Sequence, residues 1–209
     1  GRVSVAIALA QARKLIHESG IPHVLIAAAD SLLTWPSLSV YERDERLLTP
    51  RNSNGFMPGE AAGAVLVGVP RSCFGELVCA GVGFGHEAAY LESGEPLRGD
   101  ALTQAIKASL NEAGCQMHDI DFRIADLSGE QYYFKEASLA LNRTLRRRKE
   151  DLQIWHPAES IGESGAATGI ACLTVMQTAA TKGYAPGPLS LLHMGNDSGA
   201  RAAIIGHAI

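Results

Sequence analysis

The chain has 209 residues, 46% apolar and 19% charged, with a net charge of −4. That length supports one large domain or two small ones around a real core, and the apolar fraction excludes a disordered chain. The acidic balance leaves no electrostatic footprint for nucleic acid or an anionic membrane.

In chain order, residues 4–19 place Val5, Ala8, Leu9, Ala12, Leu15 and Ile16 on one stripe, which predicts a helix. Ser4 is its expected N-cap, and Gly20 and Pro22 its stop. The short run "HVLIAAA" (23–29) reads as a strand buried on both faces, as in a parallel sheet. A long polar loop through "YERDERLLTPRNSNGF" follows, then a second buried strand at 61–69, expected to be central or nearly so. "ELVCAGVGFG" (76–85) predicts a strand and residues 100–113 a helix closed by Gly114. "DFRIADLSG" is a strand and turn, "YYFKEASLALNRTL" a helix, and "LQIWHPA" a strand. Residues 165–183 form a helix of small and apolar residues, buried around most of its circumference. "LSLLHMGN" and "ARAAIIGHAI" close the chain as two strands too close in sequence for a crossover, hence antiparallel. This order predicts an α/β fold: a mostly parallel sheet flanked by helices, with one antiparallel return.

The four cysteines, Cys73, Cys79, Cys115 and Cys172, have no C-x-x-C spacing. They signal neither zinc nor a redox pair and suit buried, reduced thiols in the cytoplasm. The basic run at 143–149 reads as a solvated helix end. No segment has the length or apolarity of a membrane span, and no leader is visible. Trp35 and Trp155 read as core or interface residues. The glycines of "GVGFG" (81–85) lack the spacing and the lysine of a nucleotide loop. His156 and His193 fall at the ends of two predicted strands, on the carboxyl side where open α/β sheets bind ligands; a hydrogen-bonded structural role is the ordinary reading of each. The opening "GRVSVAIALAQARKL" has no initiator Met and begins directly in a helix, as in a piece of a longer polypeptide.

Several blocks share a pattern. "AAADSLL" (27–33) resembles the segment that follows the nucleophilic cysteine of β-ketoacyl-[acyl carrier protein] synthases. "NGFMPGEAAGAVLV" (54–67) is similar to that family's D-G-F-V-x-G-E-G-A-G-A-x-V-L. "ESIGESGAATG" resembles its K-S-x-x-G-H-x-x-G-A-A-G, and "MGNDSGARAAII" its F-G-F-G-G-x-N-A-x-x-V. The order and spacing are family-like over nearly the whole chain. The resemblance implies a thiolase-like fold: one complete five-stranded layer and a truncated second layer. It divides the chain into residues 1–70, the remnant of an N-terminal half, and 71–209, the C-terminal half. It implies acyl transfer in fatty-acid or polyketide metabolism, with no metal or organic cofactor. The partners it implies are an acyl carrier protein and acyl thioesters, and the full-length protein is expected to be a homodimer or heterodimer.

The departures bear on chemistry. The resemblance places the nucleophilic cysteine upstream of Gly1. It places the family's first catalytic histidine at Ser128, its second at Glu163 (or Gly162), its lysine at Glu159, and its phenylalanine gate at 195–197. Decarboxylative condensation develops an enolate that needs hydrogen-bond donors in a dry pocket. Serine can donate one such bond. An ionised glutamate cannot donate and repels the enolate. Two roles remain for Glu163: a general base, or an ordinary anion near a helix N-terminus. Ser128 and Glu163 are thus the candidate site residues, in an acyltransferase fragment inactive without the upstream cysteine or in a non-catalytic homologue serving as partner subunit or acyl-binding scaffold. A third reading takes "GESGA" as an imperfect nucleophile elbow, with Ser164, Asp197 and His207 in hydrolase order, although "HPAESI" is poor strand material ahead of the serine.

Overall fold

In the computed structural model, which describes residues 1–71 and 73–209, the chain folds in four layers. The elements are α1 (Ser4–Ser19), β1 (His23–Ser31), α2 (Trp35–Arg43), β2 (Glu60–Gly68), β3 (Leu77–His86), α3 (Asp100–Ala113), β4 (Phe122–Ala125), α4 (Gln131–Thr144), β5 (Ile154–Trp155), α5 (Ala158–Ile161), a 3-10 turn (Gly165–Ala167), α6 (Thr168–Thr181), β6 (Leu189–Gly195) and β7 (Ala200–Ala208).

The main sheet has the order β3-β7-β6-β4-β5. β4 runs parallel to β5 and to β6, whereas β7 is antiparallel to both β6 and β3. Four strands therefore point one way and β7 returns, as the short β6–β7 connection requires. Side chains alternate across this sheet. Phe122, Ile124, Leu192, Met194, Ala202 and Ile204 face one core, built with α1 and α6. Ala125, Leu191, Ala203 and Ile205 face a second core, built with α3 and α4. Both faces are covered, so the strands read as continuous apolar runs.

The truncated second layer is a two-stranded antiparallel ribbon of β1 and β2. Here two expectations fail. β1 is not buried on both faces, and β2 is not central. α1 and α6 cover the inner face, where Ile26 is buried and Val24, Ala28, Val65 and Val67 pack. The outer face is open: Leu25 and Leu66 stand opposite each other and are 65% and 68% exposed. An apolar run can be covered once or twice; periodicity does not distinguish these without alternating polar residues.

α6 is buried as expected, although its first three residues form the 3-10 turn. Its small residues let it lie between the ribbon and the sheet: a Cβ on Gly169 would sit 2.8 Å from Val5, and one on Gly63 of β2 would sit 2.7 Å from Ile170. Four smaller corrections follow. Ser4 lies inside α1 behind the N-cap Val3, which makes no side-chain cap. α2 interrupts the expected loop; Thr34 accepts from the Ser37 N–H at 3.4 Å and Pro36 occupies the first turn, but no α2 residue is buried, so no stripe announced it. Trp35 is 79% exposed, whereas Trp155 packs against Phe122 with ring centroids 4.7 Å apart. Cys73 is exposed and Cys79 and Cys115 half-buried, leaving Cys172 alone as a fully buried thiol. No helix among the described residues is long and apolar enough to cross a membrane.

The glycines of 81–85 have a packing role. A Cβ on Gly81, Gly83 or Gly85 would lie 2.1, 2.0 or 2.3 Å from the carbonyl oxygens of Ser109, Ala105 and Ala101. The backbone of α3 thus rests on the backbone of β3. Glu87 anchors the start of that helix by accepting the Ala101 N–H at 3.1 Å. Gly83→Ala should destabilise the protein by about 1–3 kcal/mol, because helix and strand must separate to admit a methyl group. A urea midpoint unchanged from the wild type would contradict this packing.

Candidate functional site

Of the two site residues expected from the sequence, Glu163 lies where four chain segments converge. Arg2 precedes α1, Asp126 follows β4, Glu163 precedes α6, and Asp197 occupies the β6–β7 turn. Arg2 joins them. Its Nη1 donates to Glu163 Oε2 at 3.0 Å, its Nη2 to Asp197 Oδ1 at 3.0 Å, and its Nε lies 3.5 Å from Asp126 Oδ2. Its guanidinium stacks over the Tyr133 ring, 4.5 Å from the centroid. Arg46 extends the network by a bidentate pair with Glu130 at 2.8 and 2.9 Å and a bond to Asp197 Oδ2 at 2.8 Å. The Tyr133 hydroxyl also donates to Asp197. An open cleft lies over this network, lined by Arg2, Tyr41, Arg46, Phe56, Glu163 and Asp197 among others.

The loop 54–60 holds the Glu163 segment in place. The Gly59 N–H donates to the Glu163 carbonyl at 2.8 Å, and the Glu163 N–H to the Met57 carbonyl at 2.7 Å. A Cβ on Gly59 would lie 2.0 Å from the Ile161 carbonyl oxygen, so only glycine fits there. Glu163 is 4% exposed. Besides Arg2, its carboxylate accepts the Gly165 N–H at 2.9 Å and the Thr168 hydroxyl at 3.2 Å. Its oxygens are thus occupied by protein donors.

Ser128 is not in this network: its Oγ is buried without a hydrogen-bond partner. Asp126, two residues earlier, is the β4-loop residue that meets Arg2. Glu159 is also elsewhere, with its side chain 81% exposed; counting K-S-x-x-G-H back from Glu163 places the lysine at Ala158. The sequence reading missed Arg2, Asp126, Arg46, Glu130 and Tyr133. The available signal was "ADLSGE", whose Ser-Gly matches the Thr-Gly of the family's H-G-T-G-T when Asp126 is set against the histidine.

The hydrolase arrangement does not form. Ser164 is fully buried and its hydroxyl shares a hydrogen bond with Thr168 at 3.2 Å. Asp197 is held by two arginines and Tyr133. His207 lies seven residues beyond Ala200 along β7, about 23 Å at strand rise, at the end of the strand away from Asp197. Among the described residues, no group of three or more His, Cys, Asp or Glu side chains is arranged to hold a metal ion.

No protein-family model matches the chain, and no curated protein matches it. Solved structures do. The ketosynthase ApeO in complex with its chain length factor ApeC, from Xenorhabdus doucetiae, superposes with a TM-score of 0.81 at 16% identity, over 98% of this chain and 57% of that one. A type II polyketide acyl carrier protein in complex with its ketosynthase, AntDE–AntF, gives 0.82 at 18% identity, over 98% of this chain and 60% of that one. The ketosynthase from module 6 of the bacillaene synthase of Bacillus subtilis 168 gives 0.81 at 15% identity, over 100% of this chain and 45% of that one. The chain therefore has the thiolase-like fold of ketosynthases and chain length factors. It spans less than two thirds of the length of these structures.

Asp126 and Asp197 are shifted in opposite directions. Burial raises Asp126 to about 6, against the opposing pull of Arg2 and the Gly195 N–H. Burial also raises Asp197, but the Arg46 and Tyr133 hydrogen bonds and the charge of Arg2 outweigh it and hold this group at about 2. Unfolded, both titrate near about 4. Between roughly pH 4 and 6 the folded state keeps a proton on Asp126 that the unfolded state has lost, so this group's contribution to stability falls as pH rises. Below about pH 4 the unfolded state protonates first at Asp197, and stability is lost as pH falls. Asp126→Asn should remove the first decline and leave the second; Asp197→Asn should weaken the second. Urea midpoints across the acid range check both, and an unchanged profile in Asp126→Asn would contradict the assignment.

Proposed function

We propose that this chain is a non-catalytic ketosynthase-like subunit of polyketide or fatty-acid synthesis, working in the cytoplasm beside a ketosynthase-type partner and its acyl carrier protein, without a metal or organic cofactor. The observation that carries this reading is the ion network on Arg2. Condensation needs free donors aimed at a developing enolate. Here the Arg2 and Arg46 donors are committed to carboxylates, and two guanidinium groups face Asp126, Glu163, Asp197 and Glu130. A further negative charge entering this site meets repulsion instead of stabilisation.

The thiols agree with this reading. Burial pushes Cys172 well above its ordinary range and Cys79 up to about 11, so neither supplies a thiolate nucleophile near neutral pH. The partner assignment draws on the structural neighbours, two of which are ketosynthases complexed with a chain length factor or an acyl carrier protein.

Incubation with an acyl-carrier-protein thioester should leave the chain unmodified by intact-mass spectrometry. A stoichiometric acyl adduct on any of its cysteines, formed faster than on the unfolded chain, would overturn the reading. Arg2→Ala should destabilise the fold by about 3–5 kcal/mol by stranding buried carboxylates, without creating acyl transfer. Ser164 should not label with a fluorophosphonate; labelling lost in Ser164→Ala would reinstate the hydrolase.

A further inference from the structure

A cavity of about 290 Å³ enters the α1/α6 core where β2 and β3, each at the edge of its own sheet, come together without pairing. Its floor is Leu9 of α1, Leu173 and Met176 of α6 and Ile204 of β7, all at most 8% exposed and all members of one packed cluster. Val65 and Val67 of β2 and Leu77 of β3 form its walls and pack on that cluster. Alternation along β2 sends these two valines inward and Leu66 outward. The cavity lies away from the Arg2 network: β7 starts at Ala200, close to Asp197, and reaches the cavity only at Ile204 and Gly206.

Native interiors hold few voids larger than a water molecule. This one is about twice the roughly 150 Å³ apolar cavity that takes up benzene, and it approaches the roughly 300 Å³ at which ligand pockets begin. Water is a poor occupant. It needs about two to four polar partners, and the side chains of the floor offer hydrocarbon and one thioether. Polar groups gather at the mouth instead. Among the described residues, the charged side chains lining the cavity are Arg71 and Glu76, and they cancel: the Arg71 N–H and Nε donate to the Glu76 carboxylate at 2.8 and 3.1 Å. His23 and Gln177, both exposed, add hydrogen-bonding groups there.

We propose that this cavity binds an aliphatic chain of about ten carbons, scaled from the six of benzene, that ends in an uncharged polar group. The floor takes the chain by removing its apolar surface from water, and the unbranched Met176 side chain adapts to its path. A chain end of either charge would compete with the Arg71–Glu76 pair. A hydroxyl, amide or ester would leave that pair intact and meet His23 and Gln177. The site does not rest on the non-catalytic reading and stands with or without it.

The test is a titration of the folded protein with 1-octanol, with octanoate and octylammonium as its charged counterparts, followed through the methyl NMR signals of Met176, Leu173 and Ile204. Leu102 and Ile106 of the second core serve as controls. Octanol should give saturable shifts at the three cavity residues, none at the controls, and a raised melting temperature. Octanoate and octylammonium should each bind several-fold more weakly. Val67→Phe, which fills the cavity from its wall, should abolish the shifts. If that variant fails to fold, Gln177→Trp at an exposed helix position blocks the mouth and should do the same. No saturable response in the wild type overturns the proposal. So do charged chains that bind as tightly as octanol, shifts shared equally by the second core, or an affinity unchanged in whichever variant folds. Cavity methyl shifts that follow protein concentration and not octanol, with a dimer seen by sedimentation, would assign the cavity to a second copy of the chain and overturn it as well.

Discussion

The burial of the Arg2 guanidinium constrains this end of the molecule more than any other interaction. A charged group that is 7% exposed is tolerated only with nearly complete compensation, and Arg2 obtains it from three carboxylates on three different segments. The start of α1, the loop after β4, the approach to α6 and the β6–β7 turn are thereby fixed relative to one another. The Val3 N–H donating to Asn196 at 3.0 Å and the Gly195 N–H donating to Asp126 at 2.8 Å tighten the same joint. In a thiolase-like fold this is also where the motif resemblance puts acyl-transfer chemistry. An internal ion pair that satisfies itself leaves little for a substrate to gain, which is the physical root of the non-catalytic reading.

Around that joint, close backbone approach controls the geometry. β3 accepts α3 directly on its glycines, and Gly59 admits the Ile161 carbonyl so that the loop 54–60 can clamp Glu163. Gly63 and Gly169 bring the ribbon, α6 and α1 together in the middle layer. The "NGFMPGEAAGA" and "GVGFG" stretches therefore share one function: glycine where a strand or loop meets a neighbouring backbone or side chain too closely for a Cβ. Neither has to be a ligand loop to require its glycines.

Most of the fold was legible in the sequence. The stripe in α3 and its glycine stop, the α6 stretch and the short β6–β7 turn are local signals. Helical period, caps and loop length act within a few residues of chain. α2 was not legible because it buries none of its side chains and so carries no stripe. The coverage of β1 was not legible because Val, Leu, Ile and Ala suit a strand packed on one face as well as on two.

The site divides along the same line. From the sequence alone came the expectation that Glu163 stands where the resemblance places a donor, and that His156 and His193 lie near the carboxyl ends of their strands; the structure puts His156 just past β5 and His193 two residues inside the end of β6. The sequence also determined the α/β element order, while the thiolase-like fold was what the motif resemblance implied. Only the tertiary structure decided that Glu163 is neutralised by Arg2, 161 positions away, and that Asp126 and not Ser128 meets that arginine. Ion pairing depends on which strand ends converge in space. No local period or motif encodes the distance between Arg2 and Glu163; packing of α1 and α6 against the same sheet sets it.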